Sequence, residues 1–416
     1  MMAEKLIFHI DVNSAFLSWE AVDRLKNPER FPEITVDLRT IPSAVGGDRS
    51  KRRGIILAKS VPAKKYGIKT GEPITDALKK CPNLVLVPSR HEIYRQYSKA
   101  FLSILERYSD TIEQCSIDEC FIDMTGTEKL FGKPVEAATR IKDEIYRELG
   151  FTVNVGISTN KLLAKMASDF KKPNLVHTLF PHEIKEKMWK LPVGELFLVG
   201  RSTEKTLHTL GIHTIGELAN ADVNMLRASL KKQGEVIWKF ANGEGVSVVE
   251  AEPADTKSYG NATTIAFDVT DEATAGMVLM SLAETVGRRL RRDDARAEVV
   301  AVNIKYNDLS KASHQCELMH ATNVTDEIYE TAVRLFEELW DGRPIRLLGI
   351  QTSHVNRAAD GRQMTLFDNA DYEKREKLDR TMDNIRERFG TDAVKRASFL
   401  TQDKIDHAAG NGKHFD

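Results

Sequence analysis

TIEQCSIDECFIDM (111–124) is the stretch that decides the fold, because it predicts two short strands, 111–117 and 119–124, that meet at Ser116-Ile117-Asp118-Glu119. Upstream, LIFHIDV (6–12) alternates apolar residues, which predicts a half-buried strand ending on Asp11. Downstream, FTVNVGI (151–157) predicts a further strand. A sheet that brings the first two of these regions together would place their acidic residues near its centre.

Helical patterns separate these strands at 14–26, 91–108, 134–149 and 160–170, and LVLVP (84–88) predicts one more buried strand. With residues 31–80 set aside as an insertion, the order β-α-β-α-β-β-α-β-α contains the split pattern of a ferredoxin-like α+β fold. This order predicts an antiparallel sheet with helices on one face.

Several further regions follow the break at Lys172-Pro173-Asn174. Residues 181–245 predict short helices, and the polar stretch 250–261 predicts a linker. Residues 263–355 predict a small α+β domain, and residues 371–390 predict a charged helix. At roughly 100–200 residues per domain, a chain of 416 residues agrees with several domains.

Composition excludes several classes of protein. The chain is 41% hydrophobic and 29% charged, which excludes collagen-like, mucin-like and wholly disordered chains. No apolar run approaches the ~18 residues of a membrane span, and the N-terminus reaches a charged strand too soon to hold an apolar signal core. The 4 cysteines form no CxxC motif, so we expect reduced thiols and a cytoplasmic protein without membrane association.

Charge is balanced overall but concentrated locally. The formal net charge is −1, yet from Arg39 to Lys69 Asp48 is the only acid among many bases. A second basic cluster, Arg288-Arg289 with Arg291-Arg292, lies in the later α+β region. Such stretches are typical of a protein that binds a polyanion on one face, and each is also explained as an ordinary solvated surface.

Asp11, Asp118 and Glu119 form the first candidate site. Three converging carboxylates repel one another unless cations neutralise them, and Mg²⁺ is a natural partner for such oxygens. Two ions ~3.5–4 Å apart can clamp the attacking and leaving oxygens of a phosphoryl transfer. Because adjacent strand residues point to opposite faces, Asp118 and Glu119 can both serve only at a bend or bulge. A polar hairpin turn without a metal is the alternative interpretation.

Two lysines are candidate phosphate contacts. Lys161 lies near the start of a helix that directly follows a strand, where amide groups and the helix dipole already favour an anion. Lys64 lies in a short helix at 62–66, after the basic stretch. Both residues are also explained as solubilising surface lysines.

Two motifs point to large partners. Gly200 and Gly211 lie in hairpins between helical segments, where backbone amides can approach a DNA phosphate. The alternative interpretation is that these helices form only a packing module. Gln363-Met364-Thr365-Leu366-Phe367 combines a glutamine with spaced apolar anchors, which suits docking into a partner's pocket. The alternative for this peptide is an apolar turn that packs on its own domain.

The chain resembles the Y-family translesion DNA polymerases from residue 5 to about residue 355. The two glycine hairpins and four further segments carry the resemblance, in the family's order. Those segments are DVNSAFLSWE (11–20), VGGD (45–48), SIDECFIDMT (116–125) and GISTNKLLAKMASDFKKPN (156–174).

The resemblance implies a right-hand polymerase with a ferredoxin-like palm, small fingers, a helix-hairpin-helix thumb and an α+β little finger. The implied boundaries are palm 1–24 and 80–173, fingers 25–79, thumb 174–249, linker 250–256 and little finger 257–355. Residues 356–416 would hold a clamp-binding peptide and a C-terminal tail.

Site residues carry over from the family by position. Asp11, Asp118 and Glu119 match the catalytic carboxylates, which with the Val12 carbonyl would hold two Mg²⁺ ions. Phe16 matches the aromatic residue that blocks a sugar 2′-hydroxyl. Lys161 matches the triphosphate-binding lysine. The clamp-binding residues would be Gln363, Leu366 and Phe367.

The chain departs from the family pattern at four positions. Asn13 and Ala15 stand where a carboxylate and an aromatic residue are common. Val61 and Lys64 replace the tyrosine and arginine that contact phosphates, and lysine keeps the charge but lacks the bidentate fork of arginine. We therefore expect Lys64 to bind the triphosphate with altered geometry.

The resemblance implies a template-directed DNA polymerase that acts as a monomer on primer–template DNA and dNTPs, with a sliding clamp as partner, in translesion synthesis and DNA repair. One alternative is a catalytically weak or silent family member that serves as a DNA- and clamp-binding adaptor. Another is a different nucleotidyltransferase on the same palm, such as a cyclase.

Overall fold

The computed structural model describes residues 5–33, 36–47, 54–252, 255–357 and 371–399. The described residues divide into two compact units, the first comprising those up to residue 47 and from 55 to 252, and the second comprising those from 255 to 399. The predicted linker at 250–256 spans this division. In the part of the chain that is described, no helix combines the length and the apolar character that a membrane crossing requires.

The first unit begins with alternating strands and helices. In chain order up to residue 178 they are β1 (Ile7–Val12), α1 (Ala15–Lys26), β2 (Ser43–Gly46), β3 (Ile56–Lys59), α2 (Val61–Lys64), α3 (Ile74–Lys80), β4 (Val85–Pro88), α4 (His91–Leu105), β5 (Ile112–Gln114), β6 (Glu119–Asp123), α5 (Glu128–Phe131), α6 (Pro134–Leu149), β7 (Val153–Ser158), α7 (Lys161–Asp169) and β8 (Val176–Thr178).

A five-stranded sheet in the order β5-β6-β1-β7-β8 forms the centre of this region. Strand β1 lies between β6 and β7 and runs antiparallel to both, whereas β7 and β8 are parallel. On one face, Ile10, Cys120 and Val155 pack with residues of α1, α4 and α6 in a single buried core. The predicted ferredoxin-like fold is confirmed, but the sheet is mixed rather than purely antiparallel.

Helix α7 covers the opposite face. The prediction that all helices lie on one face of the sheet is therefore wrong. Gly156 of β7 permits this contact, because a Cβ there would lie 1.9 Å from the carbonyl oxygen of Ala164 and 2.4 Å from the amide nitrogen of Ser168. Since helices cover both faces, β1 is buried along most of its length rather than half-buried. Asp11 is the residue of this strand that keeps partial exposure.

Strands β2, β3 and β4 form a separate sheet in the order β3-β2-β4. Strand β4 runs parallel to β2, with Val85 opposite Ser43. The predicted boundary at residue 80 would assign β4 to the palm, whereas its pairing with β2 places it in this separate sheet. Strand β8 lies just beyond the predicted boundary at residue 173 and pairs with β7.

Short helices occupy residues 181–241, as predicted. They are the 3₁₀ helices Pro181–Glu183 and Val193–Glu195, with α8 (Ile184–Lys187), α9 (Arg201–Thr209), α10 (Ile215–Ala219), α11 (Val223–Leu230) and α12 (Lys232–Ala241). Gly211 follows α9 with a φ of +77°, a left-handed conformation that favours glycine. Gly200 has a φ of −88°, and Leu198 takes the left-handed position in that turn.

The second unit is the predicted α+β domain. Its elements are β9 (Ser258–Val269), α13 (Glu272–Arg292), β10 (Ala295–Tyr306), β11 (Lys311–Thr322), α14 (Thr325–Leu339), β12 (Ile345–Arg357) and α15 (Asp371–Phe389). The strands form an antiparallel sheet in the order β11-β10-β12-β9. Helices α13 and α14 pack on this sheet around Leu282, Val302 and Leu335.

Buried ion pairs attach the C-terminal helix α15 to α13. The guanidinium group of Arg291 lies 3.0 Å from Asp379 and 2.7 Å from Asp383. Glu284 of α13 lies 3.0 Å from Arg386 of α15. Arg291 belongs to the basic cluster expected near a DNA backbone, and its burial excludes that role for this residue.

A buried amide pair anchors the chain that follows α7. The Nδ2 group of Asn13 donates to Oδ1 of Asn154 at 3.2 Å, and Oδ1 of Asn13 accepts from the amide of Asn174 at 2.9 Å. The Nδ2 group of Asn154 donates to the carbonyl oxygens of Ser168 and Lys171, which fixes the orientation of that side chain. The amide at position 13 therefore has a structural role that a carboxylate cannot fill.

We expect Asn13→Asp to destabilise the first unit by about 1–3 kcal/mol, the cost of a buried polar group that loses its hydrogen bond. The aspartate lacks the N–H that donates to Asn154, whose own orientation the backbone fixes. Chemical denaturation measures the effect, with Asn224→Asp, an exposed residue in the first turn of α11, as the matched control. Equal stability of Asn13→Asp and the unaltered protein would contradict this assignment.

Candidate active site

Strand pairing brings two candidate carboxylates side by side. Asp11 of β1 lies directly opposite Glu119 of β6, and opposed residues of neighbouring strands point to the same face. The amide of Val12 donates to the carbonyl oxygen of Asp118 at 2.9 Å, which places Asp118 beside the end of β1. The strand register thus sets the backbones of these sequence-distant acids side by side, near the centre of the sheet.

Asp118 lies in a bend that precedes β6, not within the strand. The amides of Cys115 and Ser116 both donate to the carbonyl oxygen of Glu119, at 3.0 and 3.2 Å. The Ser116 hydroxyl donates to Oδ1 of Asp118 at 2.6 Å. Because Asp118 is outside the regular strand, the alternation of strand side chains does not separate it from Glu119. The bend that the sequence required is present.

Cationic groups from α7 and the turn after it face these carboxylates. Lys172 forms an ion pair with Asp11, and Lys165 of α7 forms one with Glu119. Nε2 of the buried His9 lies 3.1 Å from Oε2 of Glu119. These contacts balance the negative charge that the strands bring together.

Burial and charge shift the pKa values of this cluster in opposite directions. Burial raises the pKa of Asp11, and repulsion from the Asp118 carboxylate adds to that rise. The hydrogen bond from His9, together with the Lys165 ammonium, lowers the pKa of Glu119 to about 2. Since an ionised carboxylate can only accept a hydrogen bond, Nε2 of His9 carries the proton in this contact.

Sequence reasoning missed four residues of the cluster: His9, Lys165, Ser168 and Lys172. His9 is two residues from Asp11 and therefore on the same strand face, which the period of two could have indicated. Lys165 is four residues after Lys161, on the same side of α7. Nδ1 of His9 lies 2.8 Å from the Ser168 hydroxyl, so both ring nitrogens have partners.

Lys161 is the first residue of α7, directly after β7, as predicted. Asn160 caps this helix, because its side-chain oxygen accepts from the amide of Leu163 at 2.9 Å. The Lys161 ammonium donates to both carboxylate oxygens of Glu113 in β5, at 2.9 and 2.8 Å. Glu113 is a further polar residue of this region that the sequence analysis did not single out.

Phe16 lies in α1 with its ring held by other aromatic side chains. It stacks on Tyr94 of α4 with ring centroids 4.4 Å apart and planes 15° apart. The Tyr94 hydroxyl donates to the buried Glu20 at 2.7 Å, and Glu20 also pairs with Arg90. This packing fixes the plane of the Phe16 ring, which a steric barrier requires.

Lys64 is exposed at the end of the four-residue helix α2. Ser60 caps that helix by accepting from the amide of Ala63 at 3.0 Å. Burial lowers the pKa of Lys59 in the neighbouring strand β3, and the positive charge of Lys64 lowers it further. Lys59 and Lys64 thus form a local positive pair, and Val61 beside them is exposed.

The oxygen donors of Asp11, Asp118 and Glu119 fit a hard divalent cation such as Mg²⁺. Within the described residues, however, no group of three acidic, histidine or cysteine side chains is arranged to hold one metal ion. In the structure Asp11 pairs with Lys172 and Glu119 pairs with Lys165. The backbone brings the three acidic residues together, and lysine ammonium groups form ion pairs with two of their carboxylates.

The expected clamp-binding residues Gln363, Leu366 and Phe367 lie outside the described residues. Their assignment therefore rests on the sequence pattern alone.

Three family models match the chain. The impB/mucB/samB family matches residues 10–169, the IMS family HHH motif matches residues 181–212, and the impB/mucB/samB family C-terminal domain matches residues 256–366. Together these matches cover most of the sheet with the candidate carboxylates, part of the short-helix region and most of the second unit.

Similar proteins of full length agree with these matches. DNA polymerase IV of Clostridium acetobutylicum is 46% identical over 400 residues, covering 96% of this chain and 99% of that protein. DNA polymerase IV 2 of Bacillus subtilis is 37% identical, and the alignment covers 100% of both chains. These relatives extend the likeness over nearly every residue.

Solved structures show the same fold. A Y-family DNA polymerase chimera of Dbh and Dpo4 superposes with a TM-score of 0.71 at 24% identity, covering 85% of this chain and 99% of that one. DinB from Sulfolobus solfataricus gives a TM-score of 0.54 at 25% identity, covering 84% of this chain and 98% of that one. The chain therefore belongs to the impB/mucB/samB family, that is, to the Y-family DNA polymerases.

Proposed function

We propose that this Y-family chain is a template-directed DNA polymerase that uses two Mg²⁺ ions, held by Asp11, Asp118, Glu119 and the Val12 carbonyl. The observation that carries the proposal is the register of β1 and β6, which sets Asp11 opposite Glu119 with Asp118 in the adjoining bend. Three carboxylates brought this close along the sheet support a site that cations stabilise.

The proposed reaction is attack of a primer 3′-hydroxyl on the α-phosphorus of a dNTP, with release of pyrophosphate. Bound ions would neutralise charge on the attacking and leaving oxygens. The protein's own contribution is positioning and electrostatic stabilisation, with little covalent chemistry. Lys161 and Lys64 would hold triphosphate oxygens, and Lys64 would do so as a point charge without the bidentate geometry of arginine.

Two other regions would bind the primer–template DNA. The short-helix region, with its tight turns at Gly200 and Gly211, would approach the DNA backbone. The strands of the second unit would contact the DNA backbone electrostatically, together with Arg288, Arg289 and Arg292 of its basic cluster. Such binding weakens steeply as salt concentration rises.

Family membership and the sequence support the remaining parts of the proposal. We place the enzyme in translesion synthesis and DNA repair in the cytoplasm, acting as a monomer. A sliding clamp would bind through Gln363, Leu366 and Phe367, which follow the spaced-anchor pattern of a docking peptide.

A primer-extension assay with Mg²⁺ separates this function from the alternatives. A polymerase extends the primer with template-matched nucleotides. A silent adaptor binds DNA and clamp without extension, and a cyclase consumes nucleotide without a primer.

Asp118→Ala is expected to reduce primer extension by roughly a thousandfold, the upper range for loss of one group that stabilises transition-state charge. DNA affinity should stay within about threefold, because phosphate contacts elsewhere supply the binding. A gel-based extension assay and a DNA titration measure the two quantities. Asp110→Ala, an exposed acid just before β5, is the matched control and should extend normally. Full activity of Asp118→Ala would remove Asp118 from the site.

Phe16→Ala is expected to relax the preference for deoxyribonucleotides by roughly tenfold to a hundredfold, which corresponds to about 1–3 kcal/mol of relieved steric overlap. The ring no longer occupies the space that a 2′-hydroxyl needs. Single-nucleotide insertion with matched dNTP and rNTP measures the ratio of efficiencies. Phe16→Tyr keeps the ring and should keep the preference. Unchanged discrimination in Phe16→Ala would place the sugar barrier elsewhere.

A further inference from the structure

The chain segment that leaves the short-helix region crosses the N-terminus of α7. The carbonyl oxygen of Gly243 accepts from Nδ2 of Asn160 at 3.0 Å. The carbonyl oxygen of Val246 accepts from the amide of Lys161 at 2.9 Å. Val249 is buried in a small apolar cluster with residues of β1, β6 and α7. Residues 243–250 therefore hold the end of the helix that carries Lys161, and we call them the strap.

Glu113 joins the strap to the Lys161 side chain. Its Oε1 and Oε2 accept from the Lys161 ammonium at 2.9 and 2.8 Å, and Oε2 also accepts from the amide of Glu250 at 2.8 Å. The Lys161 and Glu113 side chains are only 18% and 23% exposed. The ammonium also lies 5.9 Å from the centre of the Phe121 ring. One carboxylate thus ties β5, the strap and the lysine together.

These contacts change what the lysine can do. A lysine side chain ordinarily samples many rotamers and loses that freedom when it binds a ligand. Here both carboxylate oxygens of Glu113 accept from the ammonium group, so the group is already localised, and it keeps donor capacity to meet a phosphate oxygen. A group that is ordered before its ligand arrives binds more tightly than one that must be ordered on binding.

We propose that Glu113 is a positioning residue for dNTP binding, which holds the Lys161 ammonium ready for the triphosphate and couples its position to the strap. This inference rests on the proposed role of Lys161 as a triphosphate contact. Glu113 itself does not touch the nucleotide, so its effect on the reaction passes through Lys161.

The opposite role for Glu113 gives an opposite result. If its negative charge mainly competed with the triphosphate for the lysine, removal of that charge would strengthen nucleotide binding. The positioning role predicts weaker binding instead, because Lys161 loses the partner that localises it. The sign of the change in the KM for dNTP therefore separates the two roles.

A double-mutant cycle on the full chain tests the proposal. Glu113→Ala, Lys161→Ala and the double variant are compared by primer extension at saturating primer–template, with dNTP varied. Glu113→Ala should raise the KM for dNTP about tenfold and leave kcat within about twofold, the pattern of lost uniform binding. The double variant should match Lys161→Ala alone, because Glu113 has no further group to position. Glu106→Ala, an exposed acid just after α4, controls for the loss of one negative charge and should change neither constant.

A second variant and a folding measurement show whether a change in KM reflects misfolding rather than loss of the Glu113 contact. Glu113→Gln keeps the side-chain size and one acceptor oxygen, so it should give a smaller rise in KM, and thermal unfolding shows whether each variant folds. A fall in KM, an unchanged KM, or additive effects of the two single variants would overturn the positioning role. If Lys161→Ala leaves the KM for dNTP unchanged, the proposed triphosphate contact itself fails, and that result differs from a failure of Glu113 alone.

Discussion

Close contact between α7 and the central sheet at Gly156 is the constraint on which the site depends. No Cβ fits at this position, because the helix backbone of Ala164 and Ser168 already occupies the space. The helix consequently lies directly over the strand face that carries Asp11 and Glu119. A side chain at residue 156 would lift the helix and separate the lysines from the carboxylates.

That contact places acidic groups on one side of the helix–sheet interface and basic groups on the other. Acidic groups come from the strands and the bend, whereas basic groups come from α7 and the turn held by Asn13. Burial makes each isolated charge costly, so the two sets stabilise one another across the interface. The contacts of Glu119 with His9 and Lys165 explain why this carboxylate stays ionised at low pH. Burial raises the pKa of the neighbouring Asp11.

Part of this arrangement could be predicted from the sequence. The rest could not, and the reasons are physical. Strand periodicity and acidic strand ends predicted the meeting of Asp11 and Glu119, because pairing follows from the order of elements. The sheet to which β4 belongs was not predicted, since an apolar run carries no information about its partner strand. Lys165 and Glu113 could not be predicted, because their local sequence pattern is typical of surface residues. Only tertiary packing brings them into the site. Arg291 was assigned to a surface for the same reason.

The C-terminal helix α15 has a consequence for how this domain can vary among similar chains. Arg291 and Glu284 are buried in α13, and their counter-ions come from α15 and the residues just after it. A chain that ended before residue 371 would remove the counter-ions that pair with Arg291 and Glu284 in this structure. Loss of α15 and replacement of Arg291 or Glu284 are thus linked changes, because either one alone leaves the opposite charges unpaired.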